Sequence, residues 1–230
     1  MKALMVVLFM ASANLMAQEN QVAHFSFWKP RAGLEKNFEN GYKQHLQWHK
    51  DNKDPWAWYG WYIISGERSG QFVDATFNHA WSDFDTPVKP AADAADNRLH
   101  TYPFGDFMAA RKMIHLPALS IADSNSLRSK FIRLITISCI DVLAGKKVLE
   151  KLKTMYQSAG IGSFMTFKLI DGGDCNQFCL LIGLNSFAAF SRFANLAEDL
   201  SSIEQAMKTK AIHSMTSETL VYRDDLSLFP

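Results

Sequence analysis

The sequence most plainly lacks charge of one sign. Twenty-four Lys and Arg stand against 23 Asp and Glu, a net charge of +1, and the basic residues are interspersed with acids. Nucleic-acid binding usually shows as a clustered basic excess, so no nucleic-acid partner is expected. Cysteine is scarce, at three residues. Cys175 and Cys179 stand four apart on a strand-like segment, about 13 Å at strand rise, too far to bridge each other. Cys139 with Cys175 is compatible with a disulfide if their strands are neighbours. Otherwise all three are buried thiols acting as small apolar groups. No Gly-x-Ser-x-Gly elbow occurs, and the cysteines all lie in the histidine-poor half, so a nucleophilic triad is not supported. No segment past the N-terminal region is apolar enough to span a bilayer.

The N-terminal region has its own pattern. Lys2 precedes Ala3–Met16, which is apolar except for Ser12 and Asn14, and Leu15-Met16-Ala17 stands before Gln18. This is the pattern of a secretory signal peptide cleaved after Ala17. Residues 1–17 are expected to be a leader and the mature chain periplasmic or secreted. No cysteine follows the apolar run, so a lipoprotein anchor is not suggested.

The rest reads as a drifted repeat. In the first half, strand candidates at 21–28, 55–65, 71–77 and 107–116 surround a helix whose stripe is Leu34, Phe38, Tyr42, His45 and His49, at helical spacing. A weaker helical region covers Ser82–Asn97, and the turn GERSG makes a hairpin of the middle strands. In the second half, strands at 130–141, 163–171, 176–184 and 218–224 surround helices at 144–160 and from Ser186 to about Ser214. Gln71-Phe72 matches Gln177-Phe178 and Trp81 matches Phe187, each displaced by 106; Ala32-Gly33 matches Ala144-Gly145, displaced by 112. The first half therefore carries about six extra residues between that turn and the hairpin. The expected units are 20–116 and 130–226, joined by a linker at 117–129 that contains the polar SIADSNSLRS.

Two βαββαβ units are ferredoxin-like modules, and two bare sheet faces can bury each other. The segment FWKPRAGLEKNFENGY and the hairpin WYIISGERSGQFVDATF resemble the dimeric α/β-barrel superfamily, in a tandem form where one chain supplies both halves. The chain also resembles an exported branch of it with no assigned activity. The resemblance implies an α+β fold of two ferredoxin-like units with sheets packed face to face as an intramolecular α/β barrel. A homodimer is compatible but not required. The superfamily includes cofactor-free monooxygenases, haem-binding enzymes, isomerases and plain ligand-binding domains, so fold alone does not choose the chemistry.

The site is expected in the first unit. All six tryptophans and six of the seven histidines lie there, an asymmetry that a duplicated core does not require. The densest stretch is HLQWHKDNKDPWAWYGW, residues 45–61. Trp48, Trp56, Trp58, Trp61, Tyr62, His79 and Trp81 are candidates for binding a small planar or aromatic ligand, since aromatics with a polar handle suit such a pocket. Trp56, Trp58 and Tyr62 are expected on one strand face, with Tyr59 and Trp61 on the other. His45, His49 and Asp74 are the catalytic candidates, and Asp74 paired with a histidine can act as a general base. The bland reading places Asp74 at a sheet edge in solvent; otherwise Arg68, a histidine or backbone donors must hold it. His45, His49 and Asp74 are also a weak two-histidine-one-carboxylate metal set, without the glutamate of the zinc-protease helix. Neither haem nor a single transition metal is favoured. The acidic stretch 83–96 lacks the calcium-loop glycine and glutamate. The first expectation is an exported small-molecule-binding protein; the alternative is an oxygenase or isomerase, cofactor-free or haem- or metal-dependent, using the same pocket.

Overall fold

A computed structural model describes residues 21–121 and 126–230. The leader reading of residues 1–17 lies outside the described residues. In the first half, β1 (Val22–Pro30), α1 (Glu35–Asp51), β2 (Tyr59–Ile63), β3 (Phe72–His79), α2 (Pro90–His100) and β4 (Gly105–His115) follow one another. In the second half, β5 (Phe131–Cys139), α3 (Val142–Ser158), β6 (Met165–Asp171), β7 (Gln177–Leu184), α4 (Leu196–Ala206) and β8 (Ile212–Tyr222) repeat that order. All strand pairs are antiparallel, and they close into a barrel in the order β1-β3-β2-β8-β5-β7-β6-β4. Each half contributes four adjacent strands. The halves join where Trp61 pairs with Tyr222 and Ile63 with Leu220, and again where Met113 pairs with Leu169. The α+β class expected from the sequence is thus what the chain adopts. No helix among the described residues is long and apolar enough to cross a membrane.

Strand alternation sorts residues into two layers. Ala23, Phe25, Phe27, Trp61, Ile63, Val73 and Ala75 turn into the barrel, where they meet Ile132, Leu134, Phe167 and Leu181. The other face lies under the helices. In the second half that space is a dense core of nineteen buried residues, with Ile135, Ile137, Phe178 and Leu180 against Val148, Leu149 and Leu152. In the first half only six buried apolar residues form the equivalent layer: Trp28, Phe38, Tyr42, Leu46, Phe72 and Leu226. A cavity occupies the rest.

Local chemistry explains the helix ends and one crossing. Asp141 accepts from the Leu143 and Ala144 amides, capping α3, and Pro90 opens α2. Gly41 stands in the middle of α1, where glycine costs about 1 kcal/mol against alanine. A Cβ there would lie 1.8 Å from the His100 carbonyl oxygen, so glycine lets α1 and α2 cross in contact.

Three expected elements differ. Residues 55–58 are not a continuous strand; Trp58 makes an isolated bridge to Leu228, and β2 starts at Tyr59. The helical stretch from Ser186 divides into a 3-10 turn at Phe187–Phe193 and α4, and β8 begins at Ile212. The early part of β8 is polar and exposed, so it carries no apolar alternation to reveal it. The three cysteines are free, Cys139 and Cys179 buried and Cys175 exposed, so the Cys139–Cys175 disulfide is not formed and Cys175 is not a core thiol.

Candidate functional site

The cavity, of about 680 Å³, lies between the helices and the outer sheet face of the first half. Its floor is His24, Ser26 and Trp28 of β1 with Asp74 of β3, and its roof is Tyr42, His45 and His49 of α1 with Asp93, Asn97 and Arg98 of α2. Trp58, Tyr102 and Phe107 complete the aromatic wall. The floor follows from alternation: phenylalanines 25 and 27 face the barrel, so residues 24, 26 and 28 face the helices.

Asp74 is only 4% exposed. Its strand runs between β1 and β2, and Ser26 and Gly60 are its register partners, so the sheet-edge reading is corrected: the carboxylate is central. Arg68 does not hold it, because Arg68 hydrogen-bonds Glu218 instead. The Trp28 indole N–H donates to Asp74 Oδ2 at 3.0 Å. Burial pushes the Asp74 carboxyl up to about 7, against the opposing hydrogen bonds from Trp28 and Ser26. The cause is loss of hydration without a cation to replace it.

His45 and His49 meet on one turn of α1. Their Nε2 atoms are 3.1 Å apart. His45 Nδ1 lies 2.8 Å from Asp96 Oδ2, and its Nε2 lies 2.8 Å from the Asn97 amide nitrogen. His49 Nδ1 approaches Asp54 Oδ2 to 2.7 Å, at an angle oblique for a hydrogen bond. Asp54 also accepts from the Trp56 amide at 3.0 Å and the Trp58 indole at 3.3 Å. Burial raises the Asp54 carboxyl, but the His49 ring first, then the Trp56 amide and the Trp58 indole, more than offset it and leave it below its usual range. Burial lowers His45, although Asp96 pulls the other way. Asp93 Oδ1 stands 3.3 Å from His45 Nε2 and 3.8 Å from His49 Nε2. The carboxylate that stands with the two histidines, as a group able to hold an ion, is Asp93 on α2 and not Asp74, which corrects the trio His45, His49 and Asp74.

The other candidates divide. Trp58 lines the cavity, 4.9 Å from the His49 ring. Trp48 stacks on His45 from outside at 6.1 Å. Trp56 and His79 form a separate pair at 4.2 Å, beside Phe84. Trp61 is 1% exposed inside the barrel, stacked on Tyr59, and is core. Tyr62 packs on Phe72 outside the cavity lining, and Trp81 is 46% exposed. None of Trp48, Trp56, Trp61, Tyr62, His79 and Trp81 lines the cavity. The expected face-sharing holds for Trp58 with Tyr62, while Trp56 leaves the strand. The acidic stretch 83–96 is no calcium loop, since Asp93 and Asp96 ride on α2 against His45. Sequence reading missed Asp93, Asp96 and Asn97, whose i, i+3, i+4 spacing is the signal of one helix face, and the floor residues His24, Ser26 and Trp28.

No family signature and no curated relative matches the chain by sequence. Solved structures share its fold. A chlorite dismutase from Candidatus Nitrospira defluvii, solved with imidazole, is 8% identical with a TM-score of 0.56, over 94% of this chain and 97% of that one. A candidate monooxygenase from Lactobacillus acidophilus is 12% identical with a TM-score of 0.57, over 91% and 97%. A heme-binding protein from Thermus thermophilus is 8% identical with a TM-score of 0.53, over 90% and 92%. Such identities speak for the fold alone.

The residues here do not fit a haem. An axial histidine needs one ring nitrogen free before an apolar slot. His45 and His49 turn theirs to each other and to Asp93. His24 sets Nε2 against Ser26 and leaves Nδ1 unpaired, but it stands on a polar floor with Ser26 and Asp74 rather than before an apolar slot, and His79, His100 and His115 do not line the cavity. His213, in the second half, is exposed. The cavity wall also sets two carboxylates, Asp74 and Asp93, against one guanidinium, Arg98, the wrong balance for a dianionic porphyrin.

Proposed function

We propose that the chain takes a small, planar, weakly acidic organic molecule into the first-half cavity and removes a proton from it with Asp74. One observation carries this reading: a central, buried carboxylate faces the cavity and is held by a neutral indole N–H. A base without a fixed counter-charge gains most when it hands its charge to a neighbouring ligand, and its pKa near 7 suits that task at neutral pH. Trp28, Trp58, Tyr102 and Phe107 would flank the ring of such a ligand.

The delocalised anion so formed has two outcomes. Reprotonation at a second carbon is an isomerisation. Uptake of dioxygen gives a hydroperoxide anion that recovers the proton from Asp74, an oxygenation. The fold's occurrence among proteins described as oxygenases agrees with the second outcome. Export belongs to the proposal as well: protein made with residues 1–17 should begin at Gln18 when recovered outside the cytoplasm, and an intact Met1 there would overturn that part.

Hydrogen–deuterium exchange tests the chemistry before any product is known. Planar phenols and aryl ketones are incubated with the protein in D2O, and loss of their acidic C–H signal is followed by NMR. Asp74→Asn should retain tryptophan quenching by the ligand and lose about 10²–10⁴-fold in exchange rate. Exchange at the wild-type rate in that variant overturns Asp74 as the base. Quenching without exchange in either protein would leave a binding module.

A further inference from the structure

We propose that His45, His49 and Asp93 bind one divalent first-row transition-metal ion at the roof of the cavity. Each imidazole has one proton to place. Asp96 stands 2.8 Å from His45 Nδ1 and Asp54 stands 2.7 Å from His49 Nδ1. A carboxylate only accepts, so the proton sits on Nδ1 of His45, and the 2.7 Å approach to Asp54, oblique as it is, favours a proton rather than a lone pair on Nδ1 of His49. Both Nε2 atoms are then bare lone pairs, yet they face each other at 3.1 Å with Asp93 Oδ1 beside them. Three electron-pair donors converging among buried side chains repel one another unless a cation lies between them. The Asn97 amide nitrogen relieves one of them. Turned over, that amide would offer Oδ1, which has no partner in its present orientation, as a fourth donor.

The spacing fits an ion. Ligands about 2.1 Å from a metal and about 90–110° apart stand about 3.0–3.4 Å from one another. The separations of 3.1 and 3.3 Å lie in that range. The third, 3.8 Å, would close with a small shift of Asp93, whose side chain is 33% exposed. Two imidazoles and a carboxylate select a borderline ion such as Zn(II), Fe(II), Co(II) or Ni(II) over calcium or magnesium. Asp54 and Asp96 play the outer role common to such sites, fixing tautomer and ring orientation. All three ligands line the cavity, so coordination positions left open face any molecule bound there. The inference does not rest on Asp74.

Cobalt titration tests it without reference to activity. The full chain, stripped with chelator, is titrated with Co(II) while visible d–d absorption is followed, then challenged with Zn(II). One Co(II) per chain, displaced by Zn(II), is expected. Asp93→Asn should weaken binding at least about tenfold, Asp54→Asn or Asp96→Asn about 10–100-fold, and His49→Gln should abolish it. Should His49→Gln fail to fold, Asp93→Asn carries the test, because its side chain is partly exposed. Asp74→Asn should bind Co(II) as wild type does, which separates this site from the proposed base. Absence of binding by the folded wild-type chain overturns the proposal. So does binding that Asp93→Asn and His49→Gln leave unchanged.

Discussion

The indole of Trp28 and the carboxylate of Asp74 meet across β1 and β3, N–H to Oδ2 at 3.0 Å, beneath the cavity. A hydrogen bond to a charged acceptor contributes about 1.5 kcal/mol, close to one pKa unit. Trp28→Phe should therefore raise the Asp74 titration point by about one unit. Infrared spectroscopy of the protonated carboxyl band across pH measures this, and an unmoved midpoint would show the bond to be idle.

Asp74 also sets a pH dependence of stability. Its folded pKa of about 7 lies above the usual carboxylate value of 3.8, so the folded state holds this proton more tightly than the unfolded state. The contribution is fully present below about pH 4, declines as pH rises towards 7, and is level above it. The span is on the order of 4 kcal/mol. Asp74→Asn should flatten that slope: relative to wild type it gains stability at pH 8 and little at pH 4, as read from urea midpoints at each pH.

Trp61 and Trp58 should part company on mutation. Trp61 is buried inside the barrel, so Trp61→Ala should cost about 3–5 kcal/mol. Trp58 lines the cavity, so Trp58→Phe should cost less than about 1 kcal/mol and change ligand quenching instead. Denaturant curves alongside fluorescence titrations check both.

Arg68, in the β2–β3 turn, grips Glu218 on β8 and so ties the two halves. The Glu218 side chain is 9% exposed. Arg68→Met strands that charge and should cost about 2 kcal/mol after allowance for solvent around the arginine. Adding Glu218→Gln should recover about half. A double-mutant cycle in urea measures the coupling, and additive losses would show the pair to be inert.

Thiol reactivity checks the cysteine assignment. Burial raises the Cys139 thiol to about 11, and burial likewise raises Cys179, while Cys175 is exposed. A chromogenic disulfide reagent should titrate one thiol per chain quickly, and all three only in denaturant.

The sequence made the element order legible because strand and helix periods are local. The His45–His49 stripe could be read from α1 alone, since i, i+4 spacing fixes one face. Asp74 was legible as an anomaly on a buried strand, but its partner was not, because Trp28 lies 46 residues away and reaches it only through β1–β3 pairing. Asp93 was hidden for a related reason. Proline-interrupted, acidic 83–96 reads as no more than a weak helical region with no marked apolar face, and only the Gly41 crossing brings α2 against α1. Trp61 misled because aromatic character does not tell which side of a sheet is empty.

Closure of the barrel within one polypeptide frees its halves from symmetry. Two separate identical chains would repeat every site residue, so each change would have to be tolerated twice. Here the position 106 residues beyond Asp74 is Leu180, fully buried among aliphatic side chains. One half can thus accumulate costly polar substitutions while the other keeps the dense packing that offsets them. The mutational load of the site is carried by a scaffold that never has to bear it itself.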